Sequence, residues 1–180
     1  KIKDKRKLRQ EIGMLFQKGA LYDYMTVEEN ILFPLTMFTD QRNEEKIERV
    51  NECLKRVNLT NSNKLFPSEL SGGMTKRVSI ARAIVMNPKY LLCDEPNSGL
   101  DPKTAIIIDN LIQEITIENN ITTIVNTHDM NSVMEIGERI AYLFKGKLSW
   151  QGTKEELVNT DNKELNDFVF ASKLFKRLKR

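Results

Sequence analysis

A chain of 180 residues, 40% hydrophobic and 29% charged, is long enough for one full-sized domain, or for a core with a smaller lobe. Its net charge of +3 is too weak to argue for nucleic acid as a partner. No apolar run approaches the roughly 18 residues that a membrane span needs, and the basic amino end lacks the apolar stretch of a secretory leader. Basic residues gather at both ends, from Lys1 to Arg9 and from Lys173 to Arg180, and read as solvated tails. Cys53 and Cys93 form neither a metal-ligand spacing nor a C-x-x-C pair, which fits a reducing compartment. The chain opens on Lys1 rather than Met, and the expectation is that residues upstream of it are absent.

In chain order, Glu11 to Phe16 reads as a short strand entering a loop at Gln17-Lys18-Gly19. Thr26-Val27-Glu28-Glu29 has capping-box spacing and predicts a helix that stops near Pro34. Ile47, Val50, Leu54 and Val57 form a helical stripe over Glu44 to Val57. A helix from Ser71 to about Val85 is closed by Asn87-Pro88. Tyr90 to Cys93 is a buried strand, and Asp101-Pro102 is an N-cap with proline at the first helical position. The helix it opens carries Ile108, Leu111, Ile112 and Ile115 on one face. Thr122 to Asn126 reads as a strand, Met130 to Glu135 as a helix, Arg139 to Phe144 as a strand, and Lys147 to Trp150 as the last strand after a Lys145-Gly146 turn. Strands alternating with helices predict an α/β fold with a parallel sheet. Near the carboxyl end Phe168, Ala171, Leu174, Phe175 and Leu178 fall at helical spacing, with Lys173, Lys176, Arg177 and Lys179 alongside. That pattern suits a helix packed on its own domain or a dimer mate, and secondarily an anionic membrane surface.

Two stretches carry chemistry. Leu70-Ser71-Gly72-Gly73-Met74 sets two glycines at a helix start, where unpaired N–H groups and a partial positive charge can face an anion, and no acid sits in that first turn. Alone, it better describes a flexible loop before an ordinary helix. Leu91-Leu92-Cys93-Asp94-Glu95 ends a buried strand in adjacent carboxylates, at the sheet edge where parallel sheets place ligands. One can serve a magnesium ion and the other a water. His128, the only histidine, follows a third strand, and Gln17 follows the first.

The order and spacing of these elements resemble the ATPase domain of ABC transporters: Q-loop, signature, Walker B with D-loop, then switch histidine. The resemblance implies a P-loop NTPase (RecA-like) parallel sheet with an inserted helical subdomain. It divides the chain into a helical and signature subdomain at about 18–86, a catalytic core at about 87–150 and a C-terminal helical extension at 151–180. Gln17 would sense magnesium and couple to a membrane permease. Ser71, Gly72 and Gly73 would bind the γ-phosphate of ATP held by the opposite subunit. Asp94 would hold magnesium through water, Glu95 would polarise the attacking water and His128 would steady the γ-phosphate. Asn97-Ser98-Gly99-Leu100-Asp101 would cross the dimer interface, with Asp101 at the nucleotide. ATP and Mg2+ are the implied cofactors.

Met74 in the signature, Asn97-Ser98-Gly99 in the D-loop, and the Phe16–Leu21 and Met25–Asn30 segments are similar to ATPases of Mla/Mce-type lipid transporters. That resemblance implies a homodimer on the cytoplasmic face of the membrane, docked on a permease near Gln17–Pro34, with an Mce-type lipid-binding protein as a further partner and no nucleic acid. The other readings are a non-transport ABC ATPase working on nucleic acid or ribosomes, and a silent subunit that only donates its signature. No G-x-x-x-x-G-K-[ST] phosphate loop occurs in the sequence. The polypeptide alone is therefore expected neither to hydrolyse ATP nor to be very stable, because the resemblance places the phosphate-loop strand inside the sheet.

Overall fold

The computed structural model describes residues 2–169, and the chain divides into two compact units between Asn126 and Thr127. The first unit runs α1 (Ile2–Glu11), β1 (Ile12–Leu15), α2 (Val27–Phe38), α3 (Asn43–Arg56), a 3-10 turn (Pro67–Glu69), α4 (Gly72–Ile84), β2 (Tyr90–Asp94), α5 (Pro102–Glu118) and β3 (Thr122–Asn126). Its sheet is parallel throughout in the order β1-β2-β3, as alternating strands and helices require. Register sets its two faces. Leu15, Cys93 and Val125 form one cross-strand row and turn into the core, whereas the adjacent row of Met14, Leu92 and Ile124 faces outward, with Met14 45% and Ile124 61% exposed. The core is completed by Val27, Ile31 and Leu35 of α2, Val50 and Leu54 of α3, Val78 and Ile80 of α4, and the expected stripe of α5.

The second unit holds α6 (Met130–Ile136), β4 (Ile140–Phe144), β5 (Lys147–Gly152), α7 (Lys154–Val158) and α8 (Lys163–Val169). β4 and β5 are an antiparallel pair, separate from the parallel sheet, because the Lys145-Gly146 turn is too short for a crossover. Leu157, Leu165 and Val169 form a small core under Met130, Val133 and Trp150. The helical pattern of Ala171, Leu174, Phe175 and Leu178 lies outside the described residues.

Two expectations are corrected. The basic amino end is helix α1 rather than an irregular tail, with Lys5 to Arg9 exposed to solvent as expected, and Gln10 Nε2 donates to Phe38 O at 2.6 Å. Helix α2 continues through Pro34 to Phe38. A mid-helix proline costs up to about 3 kcal/mol. The following turn buries Leu35 to 3% exposure, and such burial contributes about 1.5–3 kcal/mol. Thr39 then closes the helix, donating its amide at 3.0 Å and its hydroxyl at 2.7 Å to Leu35 O.

Candidate functional site

The first turn of α4 is built as its sequence predicts. Ser71 is extended at the N-cap and its Oγ accepts from Met74 N at 3.3 Å, leaving no acidic side chain in the turn. Asp101 caps α5 in the same way, accepting from Thr104 N at 3.0 Å and from the Thr104 hydroxyl. Those two bonds, hydroxyl first, hold the Asp101 carboxyl below its usual range. The two caps face each other across a cleft of about 350 Å³ lined by Ser71, Gly72, Gly73, Arg77, Gly99 and Asp101, among others. A Cβ on Gly73 would lie 2.9 Å from Thr104 Cγ2, so glycine is what lets the two helix starts approach.

The carboxylates form a second cluster. Asp94 is exposed at the end of β2, and its Oδ1 accepts from Asn126 Nδ2 at 2.7 Å. Glu95 leaves the strand in the left-handed region at φ 45°, while its N–H continues the sheet by donating to Asn126 O at 2.8 Å. A non-glycine residue held there stores local strain of the kind found at functional sites. Gln17 Nε2 donates to Ser98 Oγ at 3.3 Å, and Ser98 N donates to Glu95 O at 3.1 Å. The structure thus gathers Gln17, Asp94 and Glu95 at the carboxyl edge of the sheet, and Ser71, Gly72, Gly73 and Asp101 around the cleft. Ser98 and Gly99 lie between the two sets in sequence. His128 is exposed and is the second residue of the second unit, two residues after β3.

Among the described residues no group of three or more histidine, cysteine or acidic side chains stands ready to hold a metal. Asp94, exposed and with one oxygen held by Asn126, fits a magnesium ion that is served by one carboxylate and draws its other ligands from phosphate and water.

Four residues that sequence reasoning does not single out hold this geometry. Asn126 orients Asp94. Asn30, fully buried, accepts from Tyr22 N at 2.8 Å and donates to Tyr22 O and Met25 O at 3.1 Å each, shaping the loop before α2. Arg82 donates to Gly19 O at 2.6 Å and Ala20 O at 2.7 Å. Lys76, 5% exposed, donates to Gln17 O and, at 3.2 Å, to Glu95 O. Their sequence signal is slight: Lys76, Ser79 and Arg82 recur every three residues along an otherwise small or apolar helix face.

Comparison with known proteins follows the same lines. A family model described as ABC transporter matches residues 1–98. The chain is 46% identical over 150 residues to the methionine import ATP-binding protein MetN 2 of Bacillus cereus, covering 83% of this chain and 44% of that protein. It is 37% identical over 162 residues to the probable ribonucleotide transport ATP-binding protein mkl of Mycobacterium leprae, covering 90% and 47%. The chain thus spans under half the length of these relatives. A solved dimeric, post-hydrolysis state of the ATP-binding cassette MJ0796 bound to ADP and Pi superposes with a TM-score of 0.75 at 35% identity, covering 84% of this chain and 66% of that one.

Proposed function

The chain belongs to the ABC transporter family and has the P-loop NTPase fold of its cassettes, and from that premise we propose that it supplies the signature and hydrolytic parts of a transport ATPase. The observation that carries this reading is the cleft where two helix starts converge on a glycine pair whose own helix has no acid in its first turn, with Asp94 and Glu95 collected at the sheet edge.

In this reading Ser71, Gly72 and Gly73 bind the γ-phosphate of ATP carried by a second subunit. Backbone donors and the α4 dipole offer a pre-set electrostatic cradle. Asp101 lines the same cleft and belongs to the turn that meets that subunit. Glu95 accepts the proton-bearing side of the attacking water and orients it. His128 steadies the terminal phosphate, and Gln17 reports its presence to a permease. Asp94 holds Mg2+ through water, and the ion when bound neutralises phosphate charge. The 180 residues contain no phosphate loop, so the triphosphate is held by one outside them.

A permease docks near Gln17–Pro34, where Tyr24 is 75% exposed and Tyr22 stacks edge-on against Phe33 at 5.2 Å. No helix among the described residues is long and apolar enough to cross a membrane, so in this reading attachment to the cytoplasmic face comes through that partner. Helices α2 and α3 pack into the core instead of extending as an arm, which favours transport over action on nucleic acid or ribosomes. For the cargo, Met74 and Asn97-Ser98-Gly99 carry the narrower proposal of lipid, with an Mce-type lipid-binding partner. The relatives' names, methionine import and ribonucleotide transport, lend it no support.

The test is hydrolysis by the gene product that contains this chain, assembled with its permease. We expect phosphate release that falls about 100-fold or more in Glu95→Gln, and none from the 180 residues alone. Equal rates in wild type and Glu95→Gln would refute the assignment. Stimulation by phospholipid rather than by amino acid or nucleotide would decide the cargo.

A further inference from the structure

One side chain joins the two halves of the site described above. Lys76 lies five residues beyond Ser71, and its side chain is buried within the first unit. Its ammonium reaches the main chain of two separate loops, donating to Gln17 O after β1 and to Glu95 O after β2. Taking a cation out of water is costly unless donors and charge are matched. Here burial pulls the Lys76 pKa below 10.5, and the Glu95 and Asp94 carboxylates oppose that fall. Glu95 O also receives Ser98 N, and Ser98 Oγ in turn receives Gln17 Nε2, so the two loops are linked twice, through the ammonium and through Ser98. Two turns further along α4, Arg82 holds the carbonyls of Gly19 and Ala20. One helix therefore carries the anion-facing glycines at its start and grips both chemistry-bearing loops along its flank.

We propose that Lys76 is a positioning residue for the hydrolytic site. By fixing the main chain at Gln17 and Glu95, it sets the amide that meets the metal and the carboxylate that meets the water, both relative to the helix whose first turn meets phosphate. The proposal rests on the reading of the site as an ATPase. It assigns Lys76 no contact with substrate. Lysine is suited to the task because a compact ammonium offers three donors, which can serve two carbonyls from different loops at once.

The test uses the gene product containing this chain, as wild type, Lys76→Met and Lys76→Arg. Two readouts are taken: steady-state ATP hydrolysis, and amide hydrogen exchange at residues 17–19 and 95–98. For Lys76→Met we expect kcat to fall about tenfold or more while KM for ATP stays within about twofold, because binding groups are untouched and orientation is lost. Exchange in the two loops should quicken about tenfold with β2 and α5 unchanged, and Lys76→Arg should restore both readouts to within about threefold of wild type. A kcat within about twofold of wild type in Lys76→Met would overturn the proposal, as would exchange that rises evenly across residues 2–126, or an Arg variant no better than Met. If Lys76→Met yields no folded protein, Lys76→Gln, which keeps N–H donors without the charge, is judged by the same limits. If the wild type itself fails to hydrolyse ATP, the ATPase reading falls. Exchange then decides Lys76 alone: faster exchange confined to the two loops sustains the clamp, and unchanged exchange removes it.

Discussion

Glu28 shows how single side chains here fasten pieces that are distant in sequence. Its carboxylate accepts from Lys64 Nζ and Asn63 Nδ2, each at 2.9 Å, at the point where Val27 N and Glu28 N donate to Leu65 O and Asn63 O. The Lys64 hydrogen bond first, and the Asn63 bond second, hold its pKa below the ordinary 4.5. A depressed carboxylate stabilises the fold above its unfolded value, and that stability is lost as pH falls through the lower folded value. Urea midpoints of the gene product should therefore drop as pH falls from about 5.5 through the lowered folded value, and Glu28→Gln should lose part of that drop. An identical acid-side loss in Glu28→Gln would contradict the assignment. Contacts of this type are also where sequence reading ends. Ser71 and Asp101 were legible because a cap acts within three residues of itself. Lys76 and Asn126 have partners distant in sequence, and only a slight recurrence along α4 distinguishes Lys76 from the neighbouring Arg77.

Among elements, α2 illustrates both success and correction. Its capping box is present in full, with Glu29 N donating to Thr26 Oγ1 at 3.3 Å and Thr26 N to Glu29 Oε2 at 2.7 Å. Thr26→Ala should lower stability by about 1 kcal/mol, measured as a shift in urea midpoint without change in slope. A change under about 0.3 kcal/mol would show that core packing alone sets the helix start. The end of α2 was not legible, since Pro34 is a local stop signal and the burial of Leu35 that overrides it is a tertiary fact. Helix α1 was hidden for a related reason. Its sequence is mostly charged, with Ile2 and Leu8 as its only aliphatic side chains, so periodicity had little to register. Strands β2 and β3 were read to within a residue, because β-branched and apolar runs bounded by turn residues have few alternatives.

At the scale of the molecule, the parallel sheet brings three loop ends to one edge, and α4 carries the glycine pair to a cleft shared with the start of α5. The fold class was legible from alternation and the β4–β5 hairpin from its two-residue turn, whereas the separation of that pair from the parallel sheet was not, since strand pattern alone carries no further partner. The outward row of Met14, Leu92 and Ile124 is apolar on a face that the described residues leave partly open. The central claim is that the α4 start receives a phosphate from a second subunit, and Gly72 tests it directly. Gly72 is exposed, and a Cβ there meets only Leu100 Cδ2 at 3.5 Å. An acid in this first turn would complement the helix dipole by about 0.3–1 kcal/mol, so Gly72→Asp should fold as well as wild type while repelling a triphosphate. Sedimentation velocity of the gene product carrying Glu95→Gln, with Mg-ATP, should show a dimer. Adding Gly72→Asp should leave a monomer with an undiminished melting temperature, and ATP-driven dimerisation equal in both proteins would contradict the account.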